Sequence, residues 1–129
     1  MRSAVFILAL QSLGACSGSD AEDPYPVFDA PELQFGREVW LAHCAVCHGS
    51  GLAGAPRLGD RTAWSPRIGQ GMEMLFSHAL NGFAGKSGSE MPARGGNPQL
   101  DDATVIAAVR YMVRASECTF QSTQREMTQ

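Results

Sequence analysis

Two cysteines with a histidine directly behind the second constrain this chain more than any other feature. The segment reads Cys44-Ala45-Val46-Cys47-His48. Cys-x-x-Cys-His is the attachment pattern of c-type haem, because two thiols at this spacing can add to the two vinyl groups of one porphyrin. His48 would then lie beneath the iron and supply one axial nitrogen. We therefore expect one haem c, bound covalently through Cys44 and Cys47, around which the chain must fold.

Other uses of these cysteines agree less well with the sequence. A zinc ribbon needs a second cysteine pair, yet Cys16 and Cys118 are single and distant. A thioredoxin-like redox pair belongs to a βαβ unit, and the chain has no useful run of alternating apolar and polar residues. A structural disulfide would leave His48 without a role. Haem attachment explains all three side chains, and these alternatives have the weaker support.

Met91 is the best candidate for the second axial ligand. It lies in a long glycine-rich loop, where Pro92 directly behind it stiffens the backbone. His78 is a rival ligand, although a histidine on a helix beside leucines is more often structural, and His43 has no evident route to the far haem face. Met112 is expected to fill the core. The remaining alternative is an iron whose sixth coordination position is open or holds water. A histidine–methionine pair would instead fill both axial positions of the iron and leave none for oxygen or substrate.

Length and composition describe a single small domain. The chain has 129 residues, of which 44% are hydrophobic and 18% charged, so it is neither a disordered tail nor an integral membrane protein. Its formal net charge is −3, whereas a nucleic-acid partner would require a basic surface. We therefore expect no nucleic-acid binding.

Apolar residues at helical spacing predict an all-α fold. One helix begins near Pro31 and ends at about His43, and another runs from Met72 to Leu80, with a short turn starting near Ser65. A third helix opens at Asp101, a good N-cap. Long Gly- and Pro-rich connections, of the kind that are usually functional, join the helices. The expected limits are a domain at residues 29–116 and a C-terminal tail at residues 117–129.

The N-terminus resembles an export signal of the lipoprotein type. Arg2 precedes an apolar run at residues 4–10, which is shorter than the roughly 20 residues that span a bilayer. The run leads into Leu13-Gly14-Ala15-Cys16, in which Cys16 would become the lipidated N-terminus of a periplasmic, membrane-anchored protein. Ordinary signal cleavage near Ala15 is the alternative. The expected segments are a signal at residues 1–15 and a flexible tether at residues 16–28.

Further motifs surround the haem-binding pentapeptide between about residues 31 and 115. In chain order they are Cys44-x-x-Cys47-His48-Gly49-x-Gly51, Gly54-Ala55-Pro56-Arg57-Leu58-Gly59-Asp60, Trp64-x-Pro66-Arg67, Gly71-Met72, Ala79-Leu80-Asn81-Gly82, Met91-Pro92-x-Arg94-Gly95-Gly96 and Ala108-Val109-x-Tyr111-Met112. The ordered set resembles class I bacterial cytochromes c, and most closely the cytochrome c5 group. This resemblance implies helices wrapped around one covalently attached haem.

The resemblance also implies roles for residues outside the pentapeptide. The backbone carbonyl of Pro56 would accept a hydrogen bond from the free ring nitrogen of His48. Trp64 and Arg67 would lie near a haem propionate, whose charge Arg67 would offset. The c5 pattern commonly has two cysteines after the methionine motif, but here they are absent, so Cys118 has no evident partner. The residues that would join the first and third helices are Gly36, Trp40 and Tyr111.

The expected function is that of a one-electron carrier, not an enzyme. Redox proteins would dock transiently at the haem edge, through a ring that we place at Ala45, Val46, Ala53 and Ala55, and the protein would be a monomer or a weak dimer. One alternative is the haem-bearing electron-acceptor subunit of a dehydrogenase or oxidase complex. Another is a ligand-binding or peroxidase-like haem site, which would require that Met91 does not bind the iron.

Overall fold

The computed structural model describes residues 24–86 and 88–126, the last eight as backbone only. The predicted signal, Cys16 and the first part of the tether lie outside these residues. In the described part the expected all-α class is confirmed, with a small hairpin added between the last two helices. The helices are α1 (Pro31–His43), α2 (Ala45–His48), α3 (Arg61–Ile68), α4 (Met72–Asn81) and α5 (Asp102–Glu126), the strands are β1 (Phe83–Ala84) and β2 (Glu90–Met91), and short 3₁₀ turns cover Leu52–Gly54 and Ala93–Gly96.

The helix ends follow local capping chemistry. The carboxylate of Asp101 accepts a hydrogen bond from the Thr104 backbone N–H at 2.8 Å, which starts α5, and hydrogen bonds from Thr104 lower the pKa of Asp101. In the same way Asp60 accepts from the Ala63 N–H at 3.0 Å. This second cap starts α3 earlier than the turn expected at Ser65. Helix α5 is longer than expected, since it includes residues 117–126.

Helices α1 and α5 come into close contact at Gly36. Trp40 and Tyr111 are fully buried there, with ring centroids 5.7 Å apart. A side chain on Gly36 would overlap the carbonyl oxygen of Ala107, so only glycine permits this approach. The contact between the two helices that the resemblance implied is therefore present in the structure.

Replacing Gly36 by alanine is expected to destabilise the protein by about 1–3 kcal/mol, because the added carbon must displace the α5 backbone. Urea unfolding of the intact protein measures this loss. Gly69→Ala is the matched control, since a Cβ there would make only ordinary contacts at 3.5 Å. Equal losses for the two variants would contradict the close packing of α1 on α5.

The end of the expected tether packs on the domain. Phe28 is buried, and Tyr25 meets Trp40 edge-to-face at 4.5 Å between ring centroids. The Tyr111 hydroxyl donates a hydrogen bond to the Pro26 carbonyl at 3.0 Å. Aromatic burial thus holds residues 24–28 against α1 and α5, and the ordered part begins before residue 29.

The buried core has two parts with a cavity between them. One cluster joins α1, α3 and α5 and includes Trp64 and Met112, while the other joins α4 and α5 and includes Leu75, Ala79 and Val109. All five of these side chains line the cavity. Over the described ranges, no helix combines the length and apolar character that a membrane crossing requires.

Candidate haem site

A cavity of about 390 Å³ opens between the two core clusters, and a second of about 30 Å³ is lined in part by the same residues. His48 and Met91 line both cavities. The structure brings all seven predicted site residues to these walls. Cys44 lines the smaller cavity, and Cys47, Pro56, Trp64 and Arg67 line the larger one.

A hydrogen bond to the backbone holds one ring nitrogen of His48. His48 is buried, with 7% of its surface exposed, and its Nδ1 lies 2.9 Å from the carbonyl oxygen of Pro56. Because a carbonyl oxygen only accepts hydrogen bonds, Nδ1 carries the proton and Nε2 keeps its lone pair. Burial lowers the pKa of His48, the Pro56 hydrogen bond partly opposes this, and Arg67 adds to the lowering. The neutral ring can therefore offer Nε2 to a metal.

Three hydrogen bonds fix the loop that carries Pro56. The Leu58 N–H donates to the His48 carbonyl at 2.7 Å, and the Gly59 N–H donates to the hydroxyl of Ser116 at 3.4 Å. The indole N–H of Trp64 donates to the Arg57 carbonyl at 2.7 Å. Trp64 therefore supports the histidine through the loop, a role that sequence reasoning missed because it depends on the path of the loop in space.

Cys44 and Cys47 are both free thiols on the half-buried turn between α1 and the end of α2. Burial raises the pKa of the Cys44 thiol to about 11, and the neighbouring Cys47 adds to this. The two residues are therefore not bridged to each other. Among the side chains that the structure describes, no group of three or more His, Cys, Asp and Glu residues could hold a metal ion. Cys118, which has no evident partner in the sequence, is buried and disulfide-bonded in the structure.

Met91 reaches the cavities from the hairpin. It lies in β2, where it pairs with Phe83 of β1, and it is half-buried. Its rival His78 also lines the larger cavity, but its ring packs on Phe83 with centroids 4.3 Å apart. Met112 is buried in the core as predicted. His43 does not line either cavity.

The cationic side of the cavity is formed by α3. Arg67 lines the larger cavity, and its Nη1 donates to the Ala63 carbonyl at 2.5 Å, one turn back along the helix. A carboxylate of a group bound in the cavity could pair with this guanidinium. Leu52 and Phe83 are exposed hydrophobic residues that also line this cavity, and sequence reasoning did not single them out.

The chemistry of these residues fits a covalently bound haem. The walls are largely apolar and include the imidazole of His48, the thioether of Met91, the free thiols of Cys44 and Cys47 and the guanidinium of Arg67. Imidazole and thioether are established axial ligands of haem iron, and paired thiols attach the porphyrin. A flat apolar cofactor would also complete the core of so small a domain.

Comparisons with known proteins agree with this site. The family model described as "Cytochrome C oxidase, cbb3-type, subunit III" matches residues 31–112. Cytochrome c-555 of Chlorobaculum tepidum is 50% identical over 82 residues, which are 64% of this chain and 75% of that protein. Cytochrome c5 of Azotobacter vinelandii is 33% identical over 79 residues, which are 60% of this chain and 89% of that protein.

A solved structure shows the same fold. The crystal structure of an electron transfer complex of nitrite reductase with cytochrome c contains a chain that is 44% identical to this one, with a TM-score of 0.56. The match covers 64% of this chain and 94% of that chain. Site chemistry, fold and relatives thus agree, and the chain belongs to the class I cytochromes c, close to cytochrome c-555 and cytochrome c5, as an electron carrier with one covalently bound c-type haem.

Proposed function

We propose that this protein is a one-electron carrier and not an enzyme, with Cys44 and Cys47 as the thioether attachments and His48 and Met91 as the axial ligands. The supporting observation is that the Nδ1 of His48 is committed to Pro56, so that Nε2 remains for iron in a cavity that Met91 also lines. Between two such ligands, haem iron exchanges one electron while both axial positions stay filled.

The surrounding residues suit this role because they hold the ligands and can offset charge. The carbonyl of Pro56 fixes the plane of the His48 ring and raises its basicity as a ligand. We propose that Arg67 offsets the charge of a haem propionate, with Trp64 packed beside it. The ring of Trp64 lies 6.2 Å from that of His48, which limits the movement of the imidazole.

Selective ¹³C labelling of the methionine methyl groups tests the sixth ligand. The chain has six methionines, and the ring current of the porphyrin moves the methyl resonance of a coordinated one far from the others in the reduced protein. We expect one displaced resonance that is lost in Met91→Leu and retained in Met112→Leu, a buried control that lines the same cavities. A displaced resonance that survives in Met91→Leu would refute the assignment.

We propose redox proteins as the partners, docking where the haem edge meets solvent. The expected ring of Ala45, Val46, Ala53 and Ala55 includes one large exposed apolar side chain, Val46, which is 72% exposed. To this ring we add Leu52 and Phe83, which are 55% and 44% exposed. Small apolar patches of this kind suit weak, transient encounters, and the relative solved in complex with nitrite reductase is a precedent for a redox partner.

For the N-terminus we propose export to the periplasm and anchoring through a lipid on Cys16. Cys16→Ser is then expected to move the protein from the membrane fraction to the soluble periplasmic fraction, which immunoblotting of the fractions measures. Cys118 is disulfide-bonded while Cys44 and Cys47 are free thiols, so a lipid on Cys16 requires that the Cys16 sulfur takes no part in that disulfide in the anchored protein. The intact mass of the mature protein distinguishes a lipid on Cys16 from a disulfide at Cys16. Equal fractionation of the wild type and the variant would refute the anchor.

A further inference from the structure

The turn after Met91 contains a backbone conformation that is costly for its sequence. Arg94 has φ 54° and ψ 33°, in the left-handed region, and the glycines that follow it also have positive φ. Glycine adopts this conformation freely, whereas another residue loses about 1–2 kcal/mol. A glycine would suit the backbone at position 94 better, and contacts of the arginine side chain can offset this cost.

The side chain of Arg94 joins the turn to the start of α5. Its Nη1 donates to the carbonyl of Leu100 at 2.8 Å, and its Nη2 donates to the carboxylate of Asp102 at 2.6 Å. The side chain is 26% exposed, and Arg94 lines the smaller cavity together with Met91. The hydrogen bond to the Leu100 carbonyl is partly buried, whereas the ion pair with Asp102 lies at the surface, because the Asp102 side chain is 67% exposed, and it contributes less. We refer to these two hydrogen bonds as the Arg94 clamp.

Two other elements approach this turn closely. A Cβ on Gly95 would lie 2.9 Å from the His43 carbonyl oxygen at the end of α1. Gly82 lies at the end of α4, and a Cβ there would be 3.0 Å from the carbonyl oxygen of Met91. These close approaches fix where the turn can pass, and the Arg94 clamp provides polar attachment to α5.

We propose that Arg94 is a positioning residue for Met91, and that the clamp sets how readily the methionine leaves the haem. Met91 is three residues before Arg94, and Pro92 between them has its φ restrained to −67°. Few freely rotating backbone bonds therefore separate the clamp from the ligand. This inference rests on the proposed coordination of iron by Met91. Without the clamp, the segment 92–101 is no longer attached to α5 by the Arg94 side chain. The fraction of protein in which the Met91 sulfur has left the iron then increases.

The experiment follows the sulfur-to-iron charge-transfer band of the oxidised protein during a urea titration, with helical circular dichroism recorded in parallel. At a urea concentration that leaves the helices intact, Arg94→Ala is expected to raise the ratio of uncoordinated to coordinated protein about tenfold, the equivalent of one lost charged hydrogen bond. Asp102→Asn is expected to act in the same direction from the other side of the clamp. Arg110→Ala, which removes an exposed guanidinium from the same helix, is the control and is expected to leave the ratio unchanged.

The variant Arg94→Gly distinguishes the effect of the side-chain hydrogen bonds from the effect of the backbone conformation. It removes the clamp but suits the left-handed conformation, so its effect is expected in the same direction as that of Arg94→Ala and smaller. If Arg94→Gly titrates like the wild type, or if Arg94→Ala and Asp102→Asn titrate like Arg110→Ala, the positioning role is refuted.

Amide hydrogen exchange tests the Arg94 clamp independently of the proposal that Met91 binds the iron. The N–H groups of Asn97 and Leu100 are hydrogen-bonded within the clamped segment, to Arg94 and Asn97 respectively. Their exchange is expected to accelerate in Arg94→Ala whatever binds the iron, and unchanged exchange would contradict the clamp. Absence of the charge-transfer band from the wild type would instead refute coordination by Met91.

Discussion

Met91→Ala is expected to keep the haem attached but to open the sixth position of the iron. The alanine methyl group cannot coordinate, and the cavity wall loses its thioether. The charge-transfer band of the oxidised protein should disappear, the reduction potential should fall, and the reduced variant should bind carbon monoxide stoichiometrically. Absorption spectroscopy with and without carbon monoxide measures the first and third effects, and potentiometry measures the second.

The control for this variant is Met112→Leu. Met112 lines the same two cavities but belongs to the buried core, so its replacement by leucine should retain the band and exclude carbon monoxide. If Met91→Ala keeps the band, or if Met112→Leu loses it, the sixth ligand has been assigned to the wrong residue. Met112, the other methionine on these walls, would then be the next ligand to test, whereas absence of the band from the wild type would point to His78, which lines the larger cavity.

Cys44→Ser combined with Cys47→Ser is expected to abolish covalent haem attachment and most of the folded structure. We expect the haem to occupy the cavity of about 390 Å³, whose largely apolar walls would face water without it. The total stability of a small domain is only about 5–15 kcal/mol, so loss of this burial is expected to unfold most of the chain. Pigment that stays with the chain on denaturing electrophoresis measures attachment, and circular dichroism measures helix content.

Cys118→Ser is the matched control for this pair, because Cys118 is a buried cysteine outside the haem motif. It should lose its disulfide and some stability while the pigment stays attached to the chain. Covalent pigment in the double variant would show that other side chains hold the haem. Full helix content in the pigment-free double variant would contradict the role of haem as part of the core.

Local patterns were sufficient for the parts of the fold that depend on local chemistry. Spacing of apolar residues predicted α1 and α4 to within one or two residues, and the side chain of Asp101 marked the start of α5. Helix α3 was predicted only as a short turn, because Pro66 in its interior obscured the cap at Asp60. The packing of Tyr25 and Phe28 on the domain was missed because the small and acidic residues before them suggested a tether, although the two aromatic side chains were an available signal.

The candidate site was predictable as a set of residues but not as a network of contacts. The spacing of the pentapeptide and the Met-Pro motif singled out side chains that the structure brings to the same walls. The hydrogen bond from Trp64 to Arg57 and the clamp from Arg94 to Asp102 connect segments through the path of the chain. No local pattern reports such a path, because the partners are set by tertiary packing. The roles of the site residues remain predictions that the proposed variants test.

Exposure of the reduced wild-type protein to carbon monoxide at neutral pH tests the central claim most directly. An electron carrier whose iron is held on one side by His48 and on the other by Met91 offers no position to the gas, so the absorption spectrum should not change. A carbon monoxide complex forming at once in the native protein would contradict coordination by the thioether and would favour a ligand-binding or peroxidase-like haem site.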